Sequence, residues 1–184
     1  MKYAKALIAC ALPLAACNNS PQVHEENASV EEVQKGIAEA GGTDSFVRPG
    51  LWESKVTLEE MSMPGMPKDV AAKMAGATGK AEVNRSCLTP EEAKRPKEDF
   101  FAGNAKNCRY DHFTMAGGKI DAVMKCTGEG AGHTMTMQGG YTPDTYDMRM
   151  TMNAEGGQGA AAGMTMKMHV EAKRVGECTG KEDA

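Results

Sequence analysis

Methionines alternate with other residues in three short stretches of the chain, and their spacing suggests soft-metal chemistry. The stretches read "HTMTM" at 133–137, "YDMRMTM" at 146–152 and "MTMKM" at 164–168. Copper(I) is bound by thioether and imidazole groups, several of which must converge at one accessible point. The same alternation is also typical of a β-strand that directs every second side chain into a protein core.

The pairing of these stretches decides which side chains share a face. We expect "YTPDT" to close a hairpin with an even-length loop, and the glycine-rich segment 154–163 to close the next hairpin symmetrically. The predicted cross-strand pairs are then Met135–Met152, Met137–Met150, Met152–Met164, Met150–Met166 and Met148–Met168. Because side chains alternate across a strand, all of these methionines share one side of the sheet. The predicted methionine face consists of Met135, Met137, Met148, Met150, Met152, Met164, Met166 and Met168.

The opposite side of the same strands is polar, which is the pattern of a sheet with one side buried. The sequence therefore favours a core in which flexible thioethers fill irregular gaps. Two alternatives stay open. His133 has the same strand parity as Met135, so His133, Met135 and Met152 form the best copper(I) ligand set at the sheet end. In the other alternative the face is partly open, as a groove for a lipid, a hydrophobic small molecule or a client segment.

The N-terminus has the pattern of an exported lipoprotein. Two lysines precede an apolar run that is too short to span a bilayer, which predicts a signal peptide over residues 1–16. The run ends in "LAAC" at 14–17, which resembles the bacterial lipobox, so we expect Cys17 to carry diacylglycerol and further acyl chains such as palmitate. Each buried CH₂ adds about 0.8 kcal/mol of membrane affinity, so several chains anchor a protein durably. Asn18 differs from the aspartate of an inner-membrane retention signal, which favours the outer membrane, facing the periplasm.

Four cysteines remain once the signal peptide is removed and Cys17 is acylated. An even number of cysteines in an exported chain indicates a framework of disulfides, here with three connectivities open. We favour bridges between neighbours in sequence, Cys87–Cys108 and Cys126–Cys178. Each bridge should contribute about 3–4 kcal/mol in the chain-entropy treatment. No C-x-x-C spacing occurs, which argues against a metal or redox role.

Composition and missing motifs narrow the class of protein. The net charge of −4 argues against a nucleic-acid partner. Leucine, isoleucine, valine and phenylalanine number only 19 in residues 17–184, so the 14 methionines there must supply much of any core. The sequence has no G-x-S-x-G, H-E-x-x-H, G-x-G-x-x-G or phosphate-binding glycine loop. Asp111 and His112, as neighbours on a strand, should point to opposite faces. We therefore expect no catalytic residues and no cofactor.

The elements that position these residues are mostly short strands. Alternating segments separated by glycine, proline and asparagine predict a mainly β domain over 47–178, either a curved antiparallel sheet or a partly closed barrel with minor helix. Two insertions, "PKDVAAKMAGA" and "TPEEAKRP", have helical features. Residues 17–46 are polar, and we predict a solvated tether with a short helix that Ser29 and Glu32 open as a capping box. Residues 179–184 form a tail.

An ordered set of motifs in this domain resembles a known family. The motifs are "RPGLWESKV", "CLTPEEA", "CRYDHF", "GGKIDAVMKC", the "MTM" strands and "KRVGEC". They resemble a bacterial family of exported proteins known only as domain of unknown function 3617, over about residues 47–178. The resemblance implies an envelope protein, often a lipoprotein, and it supplies no catalytic residues. Trp52, within "PGLWE", is most simply a core anchor.

These observations predict a lipid-anchored periplasmic envelope protein with a non-catalytic role. It would bind a ligand or partner, or support envelope structure. The expected partners are the membrane, through Cys17, and a hydrophobic ligand or an envelope protein. Copper(I) binding or sequestration by methionines is the leading alternative.

Overall fold

Eight strands and two helices have both ends within the described part of the chain. The computed structural model describes residues 21–65, 67, 69, 72, 76, 78–94, 107–128, 132–155 and 163–180. The predicted signal peptide, Cys17 and most of the helical insertion "PKDVAAKMAGA" lie outside these residues. Among the described residues, no helix has the length and apolar character needed to cross a bilayer.

The strands form one antiparallel sheet in the order β1-β4-β5-β6-β7-β8-β2-β3. The sheet is curved and does not close, because β1 and β3 remain as its edges. The curved-sheet prediction is therefore confirmed, and the barrel alternative is not adopted. In chain order the elements are β1 (Val23–Ser29), α1 (Val30–Glu39), β2 (Gly50–Ser62), β3 (Ala81–Leu88), α2 (Pro90–Lys94), β4 (Cys108–Ala116), β5 (Lys119–Cys126), β6 (Gly132–Thr142), β7 (Thr145–Glu155) and β8 (Thr165–Gly176).

Both helices begin with a capping box. At α1, the Glu32 backbone N–H donates to Ser29 Oγ at 3.2 Å, and the Ser29 backbone N–H donates to the Glu32 carboxylate at 2.6 Å. The predicted capping box is confirmed. At α2, Thr89 and Glu92 exchange the equivalent bonds, each at 3.2 Å. These bonds satisfy backbone donors that have no partner inside the helix.

The segment predicted as a solvated tether belongs to the sheet and the core. Strand β1 pairs with β4 along an edge of the sheet. Val33 and Ile37, four residues apart on one side of α1, are each only 1% exposed, and they pack with Tyr110 and Phe113. The tether prediction is thus wrong for residues 23–46. Their polar composition hid a narrow apolar stripe that α1 buries against the sheet.

A second, smaller cluster surrounds the single tryptophan. Trp52 is 4% exposed and lies beside Tyr146, with ring centroids 5.6 Å apart. The indole N–H donates to the Arg48 carbonyl oxygen at 3.0 Å. The buried ring therefore has its polar group satisfied, as expected for a core anchor.

The four cysteines form two disulfides, but with a connectivity different from the one predicted. The bridges are Cys108–Cys126 and Cys87–Cys178. Cys108 lies directly opposite Cys126 in the β4–β5 hairpin, so strand pairing brings these two together. Leu51 on β2 lies between Cys87 on one side and the end of β8 on the other. The second bridge therefore crosses over β2. The predicted pairing was wrong because strand order, which the sequence does not state, decides which strand ends are neighbours.

Candidate functional site: the methionine face

The β6–β7 hairpin brings four of the predicted methionines together. Met135 lies opposite Met152, and Met137 lies opposite Met150, as predicted. The turn is short and of even length, since Thr142 is the last partner before it and pairs with Thr145. Even-length closure keeps the methionines of both strands on the same side of the sheet.

The β7–β8 register differs from the prediction by two residues. The observed partners are Met152–Met166, Met150–Met168 and Met148–Val170. Met164 lies beyond them, where its carbonyl oxygen accepts from the Ala154 N–H at 2.8 Å. The connection is therefore not closed symmetrically around segment 154–163, and the predicted pairs of β7 with β8 are wrong. A shift of two residues preserves side-chain parity, so all eight methionines still share one face.

The face extends over two further strands that the sequence reasoning did not include. A methionine row crosses five neighbouring strands, in which each member lies directly opposite the next: Met124, Met135, Met152, Met166 and Met61. Simple alternation places Met61 on the opposite side from Leu58. A bulge between Leu58 and Glu60 reverses that parity. The parity of Met124 was readable from its own strand, but its neighbours depend on the sheet order.

Burial falls from β4 to β2 along the cross-strand rows that carry the methionines, although Val170 and Trp52, further along the same face, are buried at 8% and 4% exposed. In one cross-strand row, Phe113 and Ala122 are 0% exposed and Met137 is 3% exposed. The next members of that row, Met150 and Met168, are half-buried. Of the eight predicted methionines, only Met137 is fully buried and the other seven are half-buried. Helix α1 packs against β1 and β4 and covers that half of the face. In the other half, the cluster around Trp52 is buried, and the end that carries the methionines stays partly open.

A buried tyrosine on β4 adjoins the covered end of the methionine row. Tyr110 lies opposite Met124 and is 0% exposed, and its hydroxyl has no hydrogen-bond partner among the described residues. Burial raises the pKa of Tyr110 to about 12. The phenol is therefore neutral at physiological pH, and this end of the row acts as apolar core.

The predicted copper(I) ligands lie at one end of the face. Met135 and Met152 are direct cross-strand neighbours. His133 lies two residues before Met135 on β6, opposite Cys126 on one side and Ala154 on the other. The structure therefore brings the three predicted side chains to one side and one end of the sheet, as strand parity indicated.

The reverse side of these strands is polar. Lys167 pairs with Glu60 at 2.6 Å, and Lys55 pairs with Glu171 at 2.9 Å. The hydrogen bond from Lys55 lowers the pKa of the Glu171 carboxyl. His169 lies on this side too, as predicted, with Nε2 3.0 Å from the Asp147 carboxylate. The side chains of these pairs are exposed, so this side of the sheet is a solvated surface. Exposed ion pairs of this kind contribute little to the stability of the fold.

The polar side also contains a groove of ≈ 610 Å³. Its charged lining residues are three cations and three anions: Lys55, Lys119, Lys173, Glu53, Asp147 and Glu171. Several already pair with one another, for example Lys173 with Glu53 at 3.1 Å. Because the lining has no excess of either sign, it offers no preference for a charged ligand.

Asp111 and His112 both lie on the polar side, which simple alternation did not predict. A bulge in β4 between Tyr110 and His112 breaks the alternation, and Tyr110 and Phe113 both face the core. His112 Nε2 lies 2.7 Å from the Asp121 carboxylate, whereas the Asp111 carboxylate pairs with Lys125. The two neighbours therefore do not orient one another, as predicted. The reason differs from the predicted one, because both side chains lie on the same side of the sheet but each pairs with a different residue.

Residues 47–178 match the family described as "Protein of unknown function (DUF3617)". The matched span contains the whole methionine face and all four disulfide cysteines. Strand β1 and helix α1 precede the match, although they complete its sheet and its core. Neither a curated protein nor a solved structure matches the chain.

Proposed function

The chain belongs to the DUF3617 family of proteins of unknown function, and from that premise we propose that it is a non-catalytic ligand-binding protein of the bacterial cell envelope. Its ligand is an apolar molecule with a flexible chain, such as the acyl part of a lipid. The ligand lies on the open half of the methionine face. The lipid predicted at Cys17 holds the domain at the outer membrane, facing the periplasm.

The observation that carries this proposal is the fall in burial along the rows that contain the methionines. A methionine core predicts side chains that are excluded from water over the whole sheet, as Met124 and Met137 are, at 1% and 3% exposed. The half-buried members on β7, β8 and β2 are instead contiguous, since each lies opposite the next. Contiguous apolar surface that stays accessible to water is typical of a ligand or partner site.

The side chains of this surface fit an apolar ligand of variable shape. Methionine is unbranched and has three rotatable bonds, so neighbouring thioethers can rearrange around different apolar groups. A thioether is a weak acceptor and carries no proton to donate. The surface therefore supports binding, whereas it offers no general acid, base or activated nucleophile.

Replacing Met150 and Met168 together by glutamine is expected to weaken binding of an apolar probe about tenfold, a loss of about 1.4 kcal/mol. The two residues are direct neighbours at the centre of the open half, and glutamine keeps their length while adding an amide that must be desolvated. The probe is a dansyl-labelled undecanoic acid, titrated by fluorescence against the unacylated Cys17→Ser chain.

The matched control is Lys167→Gln, which lies between Met166 and Met168 on β8 but on the polar side. This variant should bind the probe as the parent chain does. Absence of saturable binding by the parent chain would contradict the proposal. An equal loss in the control and in the methionine double variant would contradict it too, because binding would then not depend on the face.

Copper(I) is a second candidate ligand, and the methionine row favours it. Directly opposed residues in an antiparallel pair have Cβ atoms about 4.5–5.5 Å apart, so successive thioethers can reach a common ion. Met135 and Met152 are such a pair, and His133 adds an imidazole on the same side. Copper(I) competition against bicinchoninate, with Met135→Ala and Met152→Ala, separates this candidate from the first. If copper(I) binding is tight and depends on these residues while the acyl probe does not bind, copper(I) is the ligand.

The lipid anchor is tested by replacing its attachment site. We expect the parent chain to fractionate with membranes and the Cys17→Ser chain to fractionate with soluble periplasmic proteins, because the acyl chains supply the membrane affinity. Immunoblots of membrane and soluble fractions measure the distribution. If the substituted chain stays with the membranes, something other than a lipid at Cys17 holds it there.

A further inference from the structure

Three neighbouring strands place two cysteines and a histidine in one cross-strand row. Cys108 on β4 lies opposite Cys126 on β5, and Cys126 lies opposite His133 on β6. The two sulfur atoms and a ring nitrogen of His133 all lie within 4.8 Å of one another. Antiparallel pairing holds the three backbones, so the ligand atoms are gathered by the sheet itself.

The environment of this row is apolar and sheltered. Cys108 is 9% exposed and Cys126 is 6% exposed, and His133 is half-buried. The adjacent row on the same face begins with Tyr110, Met124 and Met135. The His133 imidazole therefore lies beside Cys126 and next to the row of Met124 and Met135, while its partner on β7 is Ala154.

We propose that opening the Cys108–Cys126 disulfide converts this row into a copper(I) site, with Cys108, Cys126 and His133 as its ligands. A dithiol reductant breaks the Sγ–Sγ bond. It supplies two electrons and two protons, and it leaves as its own disulfide, so the chain gains two thiols. Copper(I) then binds both sulfurs as thiolates and releases their protons to solvent. The imidazole binds as the neutral ring.

The ligand set selects copper(I) over zinc(II). Thiolate and thioether groups are soft ligands that favour copper(I). Structural zinc sites are almost always four-coordinate, with cysteine, histidine or carboxylate ligands. Among the described residues, the group contains three ligands of these types, Cys108, Cys126 and His133, and the other such group, Asp147, His169 and Glu171, has no cysteine. The neighbouring groups on the same face are the thioethers of Met124 and Met135, which suit copper(I) and not zinc(II).

This inference makes metal binding depend on the redox state of one disulfide. With the disulfide closed, the described residues at this end of the methionine face offer the ion thioethers and an imidazole, whereas reduction of the row adds two thiolates. Once copper(I) is bound, the two sulfurs are coordinated and cannot re-form the disulfide until the ion leaves. The inference stands on the cysteine row alone and does not depend on ligand binding by the open half of the methionine face.

The second disulfide supplies a control within the same chain. Cys87 and Cys178 also become thiols on reduction, but no described histidine, aspartate or glutamate forms a metal-ligand group with them. The variant Cys108→Ser/Cys126→Ser therefore keeps two thiols and loses the proposed site. His133→Ala keeps all four thiols and loses only the imidazole.

The experiment measures copper(I) affinity of the purified full-length protein in detergent, by competition with bathocuproine disulfonate under nitrogen. The protein is reduced with dithiothreitol, which is then removed by desalting. We expect the reduced chain to bind one copper(I) ion more than about 100-fold more tightly than its oxidised form or the reduced Cys108→Ser/Cys126→Ser variant. His133→Ala should weaken binding by about 10-fold or more.

A second readout keeps the result independent of folding. Copper(I) should raise the melting temperature of the reduced parent chain, because it binds the ligands gathered in the folded row more tightly than the separated ligands of the unfolded chain. It should leave the melting temperature of the Cys108→Ser/Cys126→Ser variant unchanged. Equal copper(I) affinity in the oxidised and reduced chains would overturn the proposal. An unchanged copper(I) affinity in the Cys108→Ser/Cys126→Ser variant would overturn it as well, and so would an unchanged affinity in His133→Ala. Tighter binding of zinc(II) than of copper(I) by the same residues would also overturn it.

Discussion

Removing the Cys87–Cys178 disulfide is expected to lower the free energy of unfolding by about 4–5 kcal/mol, and removing Cys108–Cys126 is expected to lower it by about 3 kcal/mol. The difference follows from the loops that the bridges close, with sequence separations of 91 and 18 residues. A longer loop loses more chain entropy when the unfolded chain is cross-linked. Urea unfolding of the two double-serine variants, followed by tryptophan fluorescence, measures both values.

The position of the longer bridge adds a second consequence. Strand β3 is an edge of the sheet and pairs only with β2, so Cys178 provides a separate attachment for its end. Amide hydrogen exchange across β3 should therefore rise more in the Cys87→Ser/Cys178→Ser variant than exchange across β5. If the bridge over the shorter loop proves the more stabilising of the two, the chain-entropy argument is wrong for this fold.

The second large effect concerns helix α1. Replacing Ile37 by alanine is expected to lower the free energy of unfolding by about 2–5 kcal/mol, because the lost side-chain atoms leave a cavity in the core. Ile37 is 1% exposed and packs in the cluster that contains Tyr110 and Phe113. Urea unfolding again measures the change.

The control for this prediction lies on the same helix. The Lys35 side chain is 75% exposed and pairs with the exposed Glu39 at 3.7 Å, so Lys35→Ala should change stability by less than about 0.5 kcal/mol. If Ile37→Ala has no greater effect than Lys35→Ala, then α1 does not contribute to the core in solution. The segment before residue 47 would then be a tether after all.

Strand-level features were predictable because they depend on neighbours in sequence. Alternation identified the strands that carry Met135, Met150 and Met166, and the short turn between β6 and β7 defined the pairing of the first two of these strands. Capping by Ser29 and Glu32 was equally local. The face shared by the eight methionines was predicted even though one register was wrong, since an error of two residues leaves parity unchanged.

Features that depend on strand order, on a bulge within a strand or on packing between distant segments were not predictable. The disulfide pairing was wrong because β3 joins the sheet beyond β2, which places Cys87 near the end of β8. Met61 was missed because a bulge reverses the parity of its strand. The tether prediction failed for α1 because two apolar residues in a polar segment acquire a partner only when the sheet forms.

The sequence by itself determined that this chain has a mainly β domain with two disulfides and one methionine-rich face, because strand periodicity and cysteine number are local properties. Only the tertiary structure decided how much of that face is covered. Coverage depends on α1, which packs against β1 and β4 at one side of the sheet, and on the separate cluster around Trp52. The same long-range order brings His133 beside Cys126 and Cys108, since cross-strand neighbours are set by the pairing of whole strands and not by any short motif.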